Sequence, residues 1–149
     1  MSYEKFLKEG LIKRQSADFK QIAYQLKRAG KDLKTAESVL SIDLIWAFAI
    51  AYHAMMRVSK ALMYSKGYLP TAKNSHKTIV EFTKLSLGNA YEDLIARFNR
   101  MRRRRHDFIY DSKNHVTLTE AKSSIEVARK LIEEVANLIS KENPDKGLF

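Results

Sequence analysis

Residues 100–111 read RMRRRRHDFIYD. An arginine guanidinium stays charged and offers a planar fork of donors that matches phosphate oxygens. A histidine beside it can take a proton near neutral pH. A tyrosine can donate a hydrogen bond to a phosphate, but with an ordinary pKa of about 10 it is a poor base. Arg105, His106 and Tyr110 are therefore residues whose chemistry suits the handling of a phosphate. Arg100, Arg102, Arg103 and Arg104 surround them as candidates for binding phosphate or another polyanion. Between Arg97 and His115, six arginines and Lys113 stand against only Asp107 and Asp111. The bland alternative is a solvated basic face with no ligand.

Helical periodicity separates these arginines. Upstream of the cluster the apolar residues Tyr91, Leu94/Ile95, Phe98 and Met101 recur at three- and four-residue spacing. At about 100° per residue, the next position on that stripe is Arg105, whereas Arg100 lies about 140° away. Arg103 and Arg104 fall off the stripe and Arg102 at its edge. Arg105 is thus steered toward the core side, where an unpaired charge is costly. It needs either an internal partner, for which Asp107, Asp111 and Glu37 are available, or a cleft open to an anion.

The elements that position these residues are read as helices throughout. With two prolines and five glycines in 149 residues, the chain favours long uninterrupted helices. A short helix is expected over Tyr3–Lys8. A long one is expected from about Ala17 to Leu40, capped by Ser16, with Phe19, Ile22, Tyr24, Leu26, Ala29, Leu33, Ala36 and Leu40 as its apolar stripe. The third, from about Ile42 to Lys66 behind Ser41, is apolar on nearly all sides through its first half and reads as central. Gly67 and Pro70 stop it. A fourth element spans about Ser75–Leu87, and a fifth runs from about Ala90 into the arginines. The last starts at the capping box Thr117-x-x-Glu120 and ends near Asn143-Pro144. The expected fold is all-α: one domain over residues 1–149, an up-and-down bundle of four long helices plus short ones.

The net charge of +10 predicts attraction to polyanions. Without cysteine, disulfides and thiol chemistry are excluded. The segment MSYEKFLKEGLIKRQ has no apolar stretch of the signal-peptide kind. The apolar run Leu44–Met56 is thirteen residues, short of the roughly 20 a membrane span needs. A cytoplasmic protein with no membrane partner is the expectation. His53, His76, His106 and His115 show neither H-x3-H nor H-E-x-x-H spacing, so no metal site is expected. His53, in an apolar helix, reads as a core histidine, and His76 as a helix-start or loop residue. No P-loop, G-x-G-x-x-G or G-x-S-x-G is present, and no cofactor is expected.

Three stretches together resemble the HEPN domains, a family of helical bundles. AESVLSIDLIWAFAIAYHAMMRVSKALMYSKGYLP (36–70) resembles the family's central helix pair. NSHKTIVEF (74–82) resembles a following helix of the family. RRRRHDFIYD (102–111) resembles its signature, commonly an arginine followed by asparagine, three variable residues and then histidine. Arg105 falls on the signature arginine, His106 where asparagine is common, and Tyr110 where the histidine usually stands. A second alignment takes His106 as the signature histidine with Arg100 or Arg102 as its arginine. The resemblance implies a metal-independent endoribonuclease-like protein that works as a homodimer with a composite cleft. Its arginine would bind the scissile phosphate and a histidine would act as base on the ribose 2′-OH. It further implies an RNA-targeting toxin paired with a minimal nucleotidyltransferase antitoxin, for which Tyr110 is the candidate modification site. The alternative it leaves open is a non-catalytic RNA- or nucleotide-binding module that partners such a nucleotidyltransferase.

Overall fold

The computed structural model describes residues 2–110 and 115–148, with side chains described up to Asp107 and again from His115. The order of elements is α1 (Tyr3–Lys8), β1 (Ile12–Arg14), α2 (Phe19–Ser38), α3 (Leu44–Ser65), β2 (Tyr68–Pro70), α4 (Ser75–Leu87), α5 (Glu92–Tyr110) and α6 (Leu118–Glu142). Four helices are long: α2, α3, α5 and α6, at 20, 22, 19 and 25 residues. The fold is an all-α bundle, as the periodicity predicts.

α3 lies at the centre and packs against α2, α4, α5 and α6. Its small and apolar residues allow this: Ala47, Phe48, Ala51, Met55, Val58, Leu62 and Met63 are all buried. α2 contributes Ile22, Leu26, Ala29, Leu33 and Ala36 at helical spacing. Tyr24 is off that face and 59% exposed, so the predicted stripe was too broad by one residue. α6 contributes Ile125, Ala128, Leu131, Val135 and Ile139. Together these form one contiguous core.

Three features differ from the sequence expectation. The caps of α2 and α3 are Asp18 and Asp43, each two residues after the predicted serine. A carboxylate accepts from the first-turn amides and complements the helix dipole better than a hydroxyl. The chain also contains a small antiparallel ribbon, Ile12↔Pro70 to Arg14↔Tyr68, which no apolar alternation announces. It forms because the turn after α3, at Gly67 with φ of 88°, sends the chain back past the segment behind α1. The third difference is in α3. One of its faces is only partly covered, along Trp46, Ile50, His53, Arg57 and Lys60, of which Trp46, His53 and Lys60 are exposed and Ile50 and Arg57 half-buried. Steps of four, three, four and three residues put these on one line of the helix.

Candidate functional site

The partly covered line of α3 forms one wall of a cleft of about 520 Å³, closed by α2, the start of α4 and the later turns of α5. Each element delivers its side chain for a local reason. On α5, Ile95, Phe98 and Met101 are buried against the bundle. Arg105, one turn beyond Met101, continues that face and is half-buried at the cleft. Its guanidinium carbon lies 5.7 Å from the centre of the Tyr52 ring. Among the described residues no carboxylate forms an ion pair with it. Of the partners the sequence offered, Glu37 binds Arg129 at 2.5 Å. Asp107 borders a neighbouring recess, and Asp111 lies outside the described residues.

Tyr52, 1% exposed, supports this arginine from below. Its hydroxyl is 2.9 Å from Nδ1 of His76, the second residue of α4. Burial pushes the Tyr52 phenol up to about 12, against the pull of Arg105 and then Arg102. It therefore stays protonated and remains a hydrogen-bonding group. That contact engages one nitrogen of the His76 ring and leaves Nε2 for a ligand. With Nδ1–H donated to Tyr52, Nε2 is a proton acceptor. With Tyr52 donating, Nε2–H is a donor to an anion. Burial first, and then Arg105, Lys60 and Arg102, hold His76 below its ordinary pKa of 6.5, so it is neutral at pH 7.

His53 is exposed on the cleft wall and is not the core histidine its apolar neighbours suggest. Arg57 Nη2 lies 3.1 Å from its Nε2. Arginine can only donate, so Nε2 is the acceptor and that lone pair is occupied. Burial, Arg57, Lys60 and Arg105 lower the His53 pKa, opposed by Asp32. Asp32 is 6% exposed and already bridges two cations, Arg57 Nε at 2.8 Å and Arg28 Nε at 3.2 Å. The cleft is thus lined by Arg28, Arg57, Lys60 and Arg105, with Asp32 the acid among its lining residues. The excess of positive charge suits it to phosphate.

The remaining arginines divide around α5. His76 and Arg105 also border a second recess of about 830 Å³ with Arg102, Arg103, His106 and Asp107. Arg102 Nε donates to Asn99 Oδ1 at 3.0 Å. Across the helix, Arg97, Arg100, Arg103 and Arg104 line a groove of about 400 Å³ against Glu120, Ser123 and Ser124 of α6. There Arg104 Nε binds Glu120 Oε2 at 2.7 Å, and its Nη2 donates to the His115 carbonyl. The structure therefore brings Arg105 and His106 to one recess and puts Arg100 on the other side of α5. Tyr110 ends α5, and its side chain lies outside the described residues.

Tyr52, Lys60 and the two cleft histidines were not singled out by sequence reasoning as site residues. The four-three-four-three spacing of Trp46, Ile50, His53, Arg57 and Lys60 was the signal that could have found two of them, His53 and Lys60.

These features define a helical-bundle protein whose arginine helix turns one side chain into a cation-lined cleft. The model of the HEPN domain matches residues 22–139, which includes every residue that lines the cleft, and the chain belongs to that family. A search of curated proteins found no significant match. No described helix is long and apolar enough to cross a membrane.

Proposed function

We propose that this HEPN protein binds RNA in the Arg105 cleft and cuts it without a metal, as the toxin of a toxin–antitoxin pair. The observation that carries the reading is Arg105 itself. A half-buried guanidinium resting on a tyrosine ring, with no carboxylate partner among the described residues, is a group suited to binding an anion. In the reaction, a neutral histidine takes the proton of a ribose 2′-OH and the 2′-oxygen attacks the adjoining phosphorus. The bond to the 5′-oxygen breaks, leaving a 2′,3′-cyclic phosphate, and the 5′-oxygen takes a proton from a neighbouring acid or water. Arg105 holds the phosphate and stabilises the charge that builds on it. His76, through Nε2, and His106 are the two candidate bases. Arg100, Arg102 and Arg103 form the rim that draws the strand in, and Arg104 joins them only as far as Glu120 leaves it charge to offer. Two copies meeting at α5 would set two such clefts side by side, and a minimal nucleotidyltransferase acting on Tyr110 would silence them.

A second reading, a non-catalytic RNA- or nucleotide-binding module, is favoured by one observation: tyrosine stands at position 110, where the family resemblance expects the histidine. One experiment separates the two. Purified protein is incubated with RNA in the presence of a chelator, beside Arg105→Ala, His76→Gln, His106→Ala and Tyr110→Phe. Cleavage that disappears in Arg105→Ala and in one of the histidine variants supports the ribonuclease. Binding that weakens in Arg105→Ala, with no cleavage by any form, supports the module. Absence of both cleavage and binding sinks both.

A further inference from the structure

The cleft has an apolar end as well as a cationic one. Trp46 lies in the first turn of α3, where Asp43 caps the helix by accepting from the Trp46 amide at 3.0 Å. The backbone under the indole is therefore fixed, yet the residue is 61% exposed. It borders the same cleft as Arg105, and the apolar lining of that cleft includes Ala49, Ile50 and Met56. Leaving a tryptophan in water forgoes the burial of a large apolar surface. A flat aromatic face beside a set of fixed cations is the pairing that single-stranded nucleic acids meet on their protein platforms: bases stack and phosphates are neutralised.

We infer that the cleft takes one nucleotide unit of a single-stranded RNA, its base stacked on Trp46 and its phosphate on Arg105. The inference rests on the RNA-binding reading and adds the part of the RNA that is gripped. The cleft volume of about 520 Å³ lies within the usual range for small-ligand sites, roughly 300–1,000 Å³. The competing occupant of Trp46 is a second copy of the chain, since Ile42 and Ile45 nearby are also exposed, by 80% and 40%. Charge argues against it. Arg28, Arg57 and Lys60 share the cleft with Trp46, and a second copy docked face to face here would bring its own Arg28, Arg57 and Lys60 against them. A nucleotide brings negative charge to the same place.

Trp46 is the only tryptophan of the chain, so tryptophan fluorescence reports on this site alone. The probe is a short fluorescently end-labelled 2′-O-methyl oligoribonucleotide, which keeps bases and phosphates but cannot be cut through the 2′-OH. Its binding is followed by anisotropy, with inorganic polyphosphate as the baseless competitor and unlabelled oligonucleotide for the tryptophan signal. The oligonucleotide should change Trp46 emission and polyphosphate should leave it nearly as it was. Trp46→Ala should weaken oligonucleotide binding roughly tenfold and Trp46→Phe only about twofold. Displacement by polyphosphate should be the same in all three forms. If the oligonucleotide binds but leaves Trp46 emission unchanged, or binds Trp46→Ala as tightly as the parent, the base is not on Trp46 and the inference is overturned while RNA binding stands. An emission shift that follows protein concentration and ignores oligonucleotide assigns Trp46 to a second copy and also overturns it. Loss of all oligonucleotide binding overturns both the inference and the RNA-binding reading.

Discussion

His53 and His76 share a cleft with Arg57, Lys60 and Arg105, and both are held below the ordinary histidine value of 6.5, first by burial and then by Arg57, Lys60 and Arg105 for His53 and by Arg105, Lys60 and Arg102 for His76. The unfolded chain takes up protons at these positions as pH falls through 6.5, while the folded chain resists until lower pH. Their neutral state therefore contributes stability that is complete above pH 6.5 and is lost progressively below it. Denaturant unfolding followed from about pH 8 to about pH 5.5 should show a decline that is smaller in the His53→Gln, His76→Gln double variant. A bound phosphate reverses the electrostatics. It offsets the cations, raises both histidine pKa values and makes binding take up protons, so affinity for the 2′-O-methyl oligonucleotide should rise as pH falls from about 8 to about 5.5. Flat affinity over that range would mean that the phosphate does not reach these rings. Arg105 was legible in the sequence because its direction depends only on the phase of its own helix, which Ile95, Phe98 and Met101 establish. The Tyr52–His76 pair was not. Its partners are 24 residues apart on different helices, and their meeting depends on how α4 packs on α3.

The junction of α5 with α6 is where an arginine of the cluster serves the fold. Arg104 reaches both carboxylate oxygens of Glu120 and the His115 carbonyl, so it ties the later turns of α5 to the first turn of α6. Glu120 also lies in that first turn, where its charge suits the helix dipole and Thr117 Oγ1 accepts its amide at 3.1 Å. Both partners are partly exposed, so the pair is worth about 1 kcal/mol. Arg104→Ala and Glu120→Gln should each lower unfolding free energy by about that amount, and the double variant by less than the sum of the two. Equal, additive losses in a double-mutant cycle would show that the contact carries no energy of its own. The helices themselves were largely legible. α1 and α4 have the predicted bounds and the Thr117 cap holds, because apolar period and capping chemistry are local. The ribbon of Ile12–Arg14 with Tyr68–Pro70 was hidden because two three-residue strands have no period to read. The partly covered face of α3 was hidden for a different reason. Ala49, Ile50 and Trp46 are as apolar as the buried residues beside them, and only the packing of the neighbours decides which face stays open.

At the scale of the whole molecule, a net charge of +10 raises affinity for any polyanion, so affinity alone cannot tell a site from a charged surface. Salt dependence can. For single strands, log Kobs falls with log salt with a slope of about 0.7 per phosphate neutralised. Arg100 and Arg103 line the groove beside α6, and Arg103 also borders the recess beside Arg105. A strand that occupies both the groove and the recess meets both arginines. Arg100→Ala and Arg103→Ala should each reduce the slope by about 0.7 and weaken binding evenly across RNA sequences. Lys84→Ala removes the same formal charge from an exposed position at the end of α4 that lines none of these recesses, and it should leave the slope unchanged. Arg105 should behave differently again. It is half-buried against Tyr52, where salt screens poorly, so Arg105→Ala should weaken binding even at high salt. If all four variants shift the salt curve equally, the strand is held by the net charge of the chain and not by the cleft. If only Arg105→Ala changes binding at high salt, the cleft is the site and the other arginines are its approach.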